Sequence, residues 1–513
     1  MTTLASGGTL WFARHEARLA WRDFVAMMTG GRPRRTVGLV IGLLVFAVLM
    51  HWLAYVLLAP QAAAGIFPDK ATLAVLSGGG LFSFAVMLSQ SIESVTRAYY
   101  ARSDLDLLLA SPASTRKLFA VRTAAIDLGT VALTCLLASP AINALIMLDG
   151  PHWLMAYGVL ATVGAVAAAL GILITLALFR LVGARRARLT AQIVAALIGG
   201  GFIIGIQAIA ILHFGSFSRL SVFQSAEALA LLPPPDHLIW IPARAALGDG
   251  QALLVFAVLG FTLFSVVVGL SSLSFGRHAL AAASVGRIAG KAGQAHRFRQ
   301  RTARQVLRSK EWVLLRRDPW LLSQTLMQIL YLIPPALLLW TNYGNASGVV
   351  VVIVPVLIMA SGQLAGGLAW LAISGEDAHD LVATAPVRPR TILVAKIEAV
   401  LTAVVVLVAP LLAIFAIFAP MAALVALAGV AIAACSSTAI QMWFRVQARR
   451  ALFRRRQTSS RIATLAEAFV SIFWAAAGAA LAAGGWVAIL AIAPAILALC
   501  VLLITWMIRP RNP

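Results

Sequence analysis

Long apolar runs alternate with short polar interruptions along the whole chain. A helix that crosses a bilayer needs roughly 20 consecutive apolar residues to cover about 30 Å of hydrocarbon. Runs of that kind lie near residues 37–58, 71–92, 123–148, 153–180, 190–213, 251–275, 321–340, 348–373, 394–418, 422–444, 463–484 and 486–508. The pattern predicts an all-α polytopic membrane protein with about 12 transmembrane helices. Its least sharp limits surround the second and eleventh runs, where Gly78, Gly79 and Gly80, then Glu467, dilute the apolar signal. The first run exceeds a signal-peptide core, so it reads as a retained span even though "APQAAAG" at 59–65 resembles a cleavage region.

The polar interruptions repeat. "DLLLASPASTRKLFAVR" (106–122) returns as "DLVATAPVRPRTILVAK" (380–396), between the second and third spans of each half. Asp106, Leu107, Leu108, Pro112 and Arg116 answer Asp380, Leu381, Val382, Pro386 and Arg390, and Arg122 is answered by Lys396. Before the first span of each half, "EARLAWRD" and "EWVLLRRD" place Glu16 and Glu311 seven residues ahead of Asp23 and Asp318, with Arg22 and Arg317 directly before those acids. Seven residues is about two helical turns, so both acids of a pair share one face. "FRLVGARRA" (179–187) and "FRVQARRA" (444–451) form a third match, between the fourth and fifth spans. Three landmarks in one order predict two similar, parallel six-helix halves: 1–276, a basic linker at 277–301, and 302–513.

Composition agrees with a bilayer: 61% of the residues are hydrophobic and 12% charged, against about 25% charged in soluble domains. The formal net charge of +23 reports topology rather than nucleic-acid binding, because with both termini cytoplasmic all of the 41 Lys and Arg except Lys70, Arg219 and Arg244 fall on the inner side. The outer stretch 214–250 breaks the symmetry with "LLPPPDHLIWIPARAALGDG". It reads either as an interfacial or re-entrant element with Trp240 at headgroup level, or as an outer loop with a proline-rich turn. Cys135, Cys435 and Cys500 are far apart within spans, a spacing that suggests packing rather than a disulfide or metal set.

In the repeated motif Pro112 disfavours helix at Ser111, and Ser114 can cap a new helix that becomes the third span. Pro389 takes the place of Thr115, a first-turn position where proline is tolerated. The product is a short Leu-rich helix at the cytoplasmic surface. It serves either as an interfacial turn with Arg116 and Arg122 facing lipid phosphate or as a docking knob, and two copies suit a partner with two equivalent contacts.

With its "DLLLASP" motif, preceding amphipathic helix and six spans per half, the chain resembles the permease subunits of type-two ATP-binding-cassette (ABC) exporters. The resemblance implies that Asp106 to Ser111 and Asp380 to Ala385 are coupling elements seated in an ABC ATPase subunit. It also implies membrane-parallel helices at roughly 10–28 and 302–318, carrying Glu16, Arg22, Asp23, Glu311, Arg317 and Asp318. Family permeases commonly have six spans and pair up, whereas this chain holds two such sets, which implies two ATPase copies. Export across a bacterial-type inner membrane is implied by the resemblance alone.

No nucleotide site is encoded: "GRIAGKA" (286–292) has one residue too few between its glycines and Ala292 where a hydroxyl is needed. Cofactors are expected to be absent from the chain, with ATP and Mg on the partner subunit. Two rivals remain. An ion-coupled secondary transporter would need ionisable groups within the membrane, but Asp127, Glu398 and Glu467 all lie near the cytoplasmic edge, where pairing is expected. An enzyme acting on lipid-linked substrates would need a catalytic cluster, and the eight His show no H-x-x-x-H pair. A scaffold without transport activity is a third class. Gly362 and Gly366, like Gly201 and Gly205, have the spacing of close helix contacts.

Overall fold

The computed structural model describes residues 35–100, 115–214, 232–272, 302–317, 346–374, 384–444 and 461–509, with a few single positions between them. Among the described residues every regular element is helical. Eleven helical stretches are long and apolar enough to cross a membrane, and they coincide with eleven of the expected runs; the seventh, 321–340, lies largely outside the described residues. The chain is an all-α, multi-pass membrane protein. It clusters into two compact units, Met1–Ile206 with Ser218–Lys291 and Gln207–Phe217 with Ala292–Pro513.

Unit 1 holds α1 (Arg35–Ala63), α2 (Lys70–Tyr100), α3 (Thr115–Leu148), most of α4 (Met155–Phe214), the short α5 (Ile241–Ala246) and α6 (Gly250–Ser272). The fourth and fifth spans are one 60-residue helix with a break at Gly183, where φ is 75°. That left-handed conformation suits glycine, which has no Cβ to clash with the carbonyl. Met87, Leu88 and Ile92 of α2 pack with Val163, Ala167, Ala191 and Ala195 of the two arms of α4. Gly171 lets its helix approach the backbone of Ile92, and Ser89 Oγ donates to the Ala195 carbonyl at 2.7 Å. A second polar link joins three helices: Tyr157 Oη donates to Asn143 Oδ1 (2.9 Å), and Asn143 Nδ2 lies 3.1 Å from His51 Nε2. Such bonds hold apolar helices together where water is absent.

The outer segment before α6 is folded. Trp240 is 3% exposed among Leu73, Ala74 and Ala243, and its indole N–H donates to the Pro234 carbonyl at 3.1 Å. The ring fills the core of a cap on α2. Two of the three basic residues that the charge pattern assigns to the outer side are also tied here, with Lys70 Nζ donating to the Leu232 carbonyl (2.9 Å) and Arg244 paired to Asp249 (2.6 Å). The Ala252 N–H and the Arg244 guanidinium stabilise the Asp249 carboxylate and hold it below the usual carboxylate range.

Unit 2 holds α7 (Ala303–Arg317), α8 (Ala346–Ser374), α9 (Pro389–Phe418), α10 (Pro420–Phe444), α11 (Arg461–Ala483) and α12 (Ile492–Met507). Its centre is α8. The fully buried Ile358 of α8 fits against Gly429 of α10 and Gly478 of α11, where a Cβ on either glycine would fall within about 2.3 Å of its methyl. Gly362 faces Ser471 and Gly366 faces the Glu467 carboxylate, as expected of close helix contacts. A Cβ added at Gly201 or Gly205 would meet nothing within 4 Å, so their spacing does not mark a close contact among the described residues. The cysteines are free, with Cys435 and Cys500 exposed rather than packed inside the protein.

Candidate functional site

The repeated motif is followed by a helix in both units. α3 begins at Thr115 and α9 at Pro389, the two positions that the motif aligns. Pro389 can open α9 because its missing N–H would be unpaired at that point in any helix. Ahead of it the chain turns at 384–388, where the Val387 N–H donates to the Ala385 carbonyl (2.7 Å) and the Thr391 N–H to the Arg388 carbonyl (2.9 Å). Thr384, Pro386, Arg388 and Arg390 are exposed in this turn and the start of α9. Val382 is helical and partly buried.

The first two turns of α9 are fixed by ion pairs. On α7, Arg304, Arg308, Glu311 and Leu315 follow at spacings of four, three and four, which places them on one face. Glu311 is 1% exposed, and Lys396 of α9 brings its Nζ to 3.0 Å from Glu311 Oε1, with Lys310 at 3.3 Å. Lys396 also donates to the carbonyl of Ala372 near the end of α8. Two residues further, Glu398 of α9 accepts from Arg304 and lies 3.5 Å from Arg308 Nε. Each helix therefore supplies both an acid and a base, and a single lysine ties three helices together. A buried acid that lacked such a partner would carry the full cost of leaving water.

Arg122 takes the same place on α3 that Lys396 takes on α9, seven residues beyond the helix start; it is also buried, at 3% exposure, which corrects the expectation that it faces lipid phosphate. Arg116 and Arg317 lie on helices, but their side chains are outside the described residues. Arg22 is helical and exposed. Asp106, Leu107, Leu108, Pro112, Asp380, Leu381, Glu16, Asp23 and Asp318 lie outside the described residues.

The three acids near the inner edge differ. Glu398 is ion-paired as expected, and Glu467, buried on α11, accepts from Gln441 of α10. Asp127 lies against Gly164, and its Oδ1 has no hydrogen-bond partner among the described residues. Among the described residues no three His, Cys, Asp or Glu come together as a metal ion would require. Sequence reasoning missed the roles of Arg304 and Arg308, although two bases at i and i+4 on a helix that precedes an acid-bearing span are a usable signal. No family model, no curated protein and no solved structure matches the chain.

Proposed function

We propose that the chain is the membrane-embedded permease subunit of an ABC-type exporter, driven by ATP that a separate subunit hydrolyses. The reading rests on one observation: the exposed turn at 384–388 continues directly into α9, whose first turns are locked to α7 and α8 through Lys396, Glu311 and Glu398. A protein pressing on this turn would move three helices together rather than bend a free loop. Docking there uses Pro386 and Arg390 with Asp380, Leu381 and Val382, and the matching motif at Asp106 to Arg116 supplies a second contact. Two ATPase copies per chain, carrying ATP and Mg, complete the transporter in a bacterial-type inner membrane.

The test is purification of the full chain from its own membrane in mild detergent. An ATP-binding subunit at two copies per chain supports the reading, and its loss on replacing Asp106 and Asp380 together with Lys supports docking at the motif. No such subunit, in a preparation that remains monodisperse, overturns the proposal. One observation favours ion coupling as a second reading: Glu467 is a buried carboxyl group in a seam with Gln441, Ser437 and Ser471. Transport that persists without ATP, follows a proton gradient and is lost in Glu467→Gln would select it.

A further inference from the structure

Among the described residues of unit 2, two chain reversals lie remote from the basic connectors, at Ala419 between α9 and α10 and at Gly484 after α11. No polar side chain occurs from Ala403 to Ala434, and from Ile472 to Ile504 the only exceptions are Trp474, Trp486 and Cys500. Backbone hydrogen bonds are kept at both reversals. The Ala419 N–H donates to the Phe415 carbonyl and the Ala423 N–H to the Ala419 carbonyl, each at 2.9 Å, while Pro420 brings no N–H. At the other tip the Gly484 N–H donates to the Leu481 carbonyl (3.2 Å), and the chain resumes at once as a 3₁₀ turn over Gly485–Ala491.

The outer turns of unit 1 are built differently. Asp69 accepts from the Thr72 N–H (2.8 Å), Asp249 from the Ala252 N–H (3.0 Å) and His237 from the Ile239 N–H (3.2 Å). Polar side chains cap those helices, as water-facing helix ends commonly require. The unit 2 tips carry no such caps and instead expose Ile417, Met421 (79%), Trp486 (75%) and Ile489.

Length points the same way. Glu398, paired to the polar helix α7, marks the inner boundary of α9. At about 1.5 Å per residue, Glu398 to Phe418 rises about 30 Å and the apolar stretch Ala463–Ala483 also rises about 30 Å. Neither exceeds the roughly 30 Å of hydrocarbon that must be crossed.

We infer that these two tips of unit 2, at Ala419 and Gly484, are seated within the lipid leaflet at the boundary between acyl chains and ester groups, so that their partner is membrane lipid rather than water or a soluble protein. The boundary suits them better than the hydrocarbon centre, because helix-end carbonyls and N–H groups still need ester oxygens or water. Trp486 fits the same level, with its ring in the acyl region and its N–H toward the esters. The inference does not depend on the transport reading or on which side of the membrane these tips occupy.

The test uses the full chain with Cys135, Cys435 and Cys500 replaced by Ala, reconstituted into phosphatidylethanolamine and phosphatidylglycerol vesicles. Nitroxides at Met421→Cys and Trp486→Cys are compared with one at the exposed Asp236→Cys of the unit 1 cap. Collisions with oxygen should exceed those with a water-soluble nickel chelate at 421 and 486, with nickel collisions several-fold lower than at 236. Nickel collisions equal to those at 236 would place the tips in water and overturn the inference. Low collisions with both reagents would mean that protein covers them, which also overturns it. Ile417→Cys and Ile489→Cys provide the same readout should either first variant fail to elute as a single species.

Discussion

At the scale of single residues, Lys396 determines whether Glu311 can be buried. Lys396→Met would leave a carboxylate that is 1% exposed with Lys310 as its ion-pair partner, at 3.3 Å. Breaking a buried pair typically costs about 3–5 kcal/mol, whereas replacing both members by apolar groups of similar size is often close to neutral. The single variant should therefore show a marked fall in thermal midpoint in detergent, and Glu311→Met with Lys396→Met should recover most of it. A double variant as unstable as the single one would show that the pair does not act as a unit. The sequence singles out both residues, Glu311 by its spacing from Asp318 and Lys396 by its match to Arg122. It does not show that they meet, because they lie on different helices and their pairing needs the tertiary fold. Trp240 was hidden for another reason: a tryptophan next to a span serves equally as a headgroup anchor or as core, and only the folded cap shows that this ring is buried.

At the scale of helices, runs of apolar residues make the spans legible, because a run of bilayer length has few alternatives. What those runs do not reveal is which helix lies at the centre of each unit or where the close contacts fall. Glycine substitutions separate these cases by sign. A Cβ at Gly366 would fall 2.4 to 2.8 Å from the carboxylate atoms of Glu467, so Gly366→Ala must push α8 and α11 apart or displace the Glu467–Gln441 bond. Overpacking of this kind costs about 1–3 kcal/mol. At Gly79, in the middle of α2, a Cβ meets nothing within 4 Å. Gly79→Ala should be neutral or stabilise by about 0.4–1 kcal/mol, since alanine has fewer unfolded conformations to lose. Thermal midpoints of the two purified variants, measured side by side, should move in opposite directions. A fall at both positions would mean that α2 uses Gly79 for a contact outside the described residues.

For the whole molecule, the decisive property is sidedness, and charge provides it. Basic connectors stay cytoplasmic during insertion, and the partition that leaves only Lys70, Arg219 and Arg244 outside is hard to reverse without miscounting a span. Pro386, exposed in the turn before α9, should therefore react as Pro386→Cys with a membrane-impermeant thiol reagent in inside-out vesicles but not in intact cells. Asp236→Cys, exposed on the unit 1 cap, should show the opposite pattern in the same cysteine-free background. Both sites are exposed to solvent in the fold, so failure to react from one side reports the membrane rather than burial. Should Pro386→Cys react in intact cells, the 384–388 turn would face away from cytosolic ATP and the exporter reading would fail. The lipid-seated tips of unit 2 would survive that result, because their argument uses the length of α9 and α11 and the hydrogen bonding at their reversals, neither of which depends on which leaflet receives them.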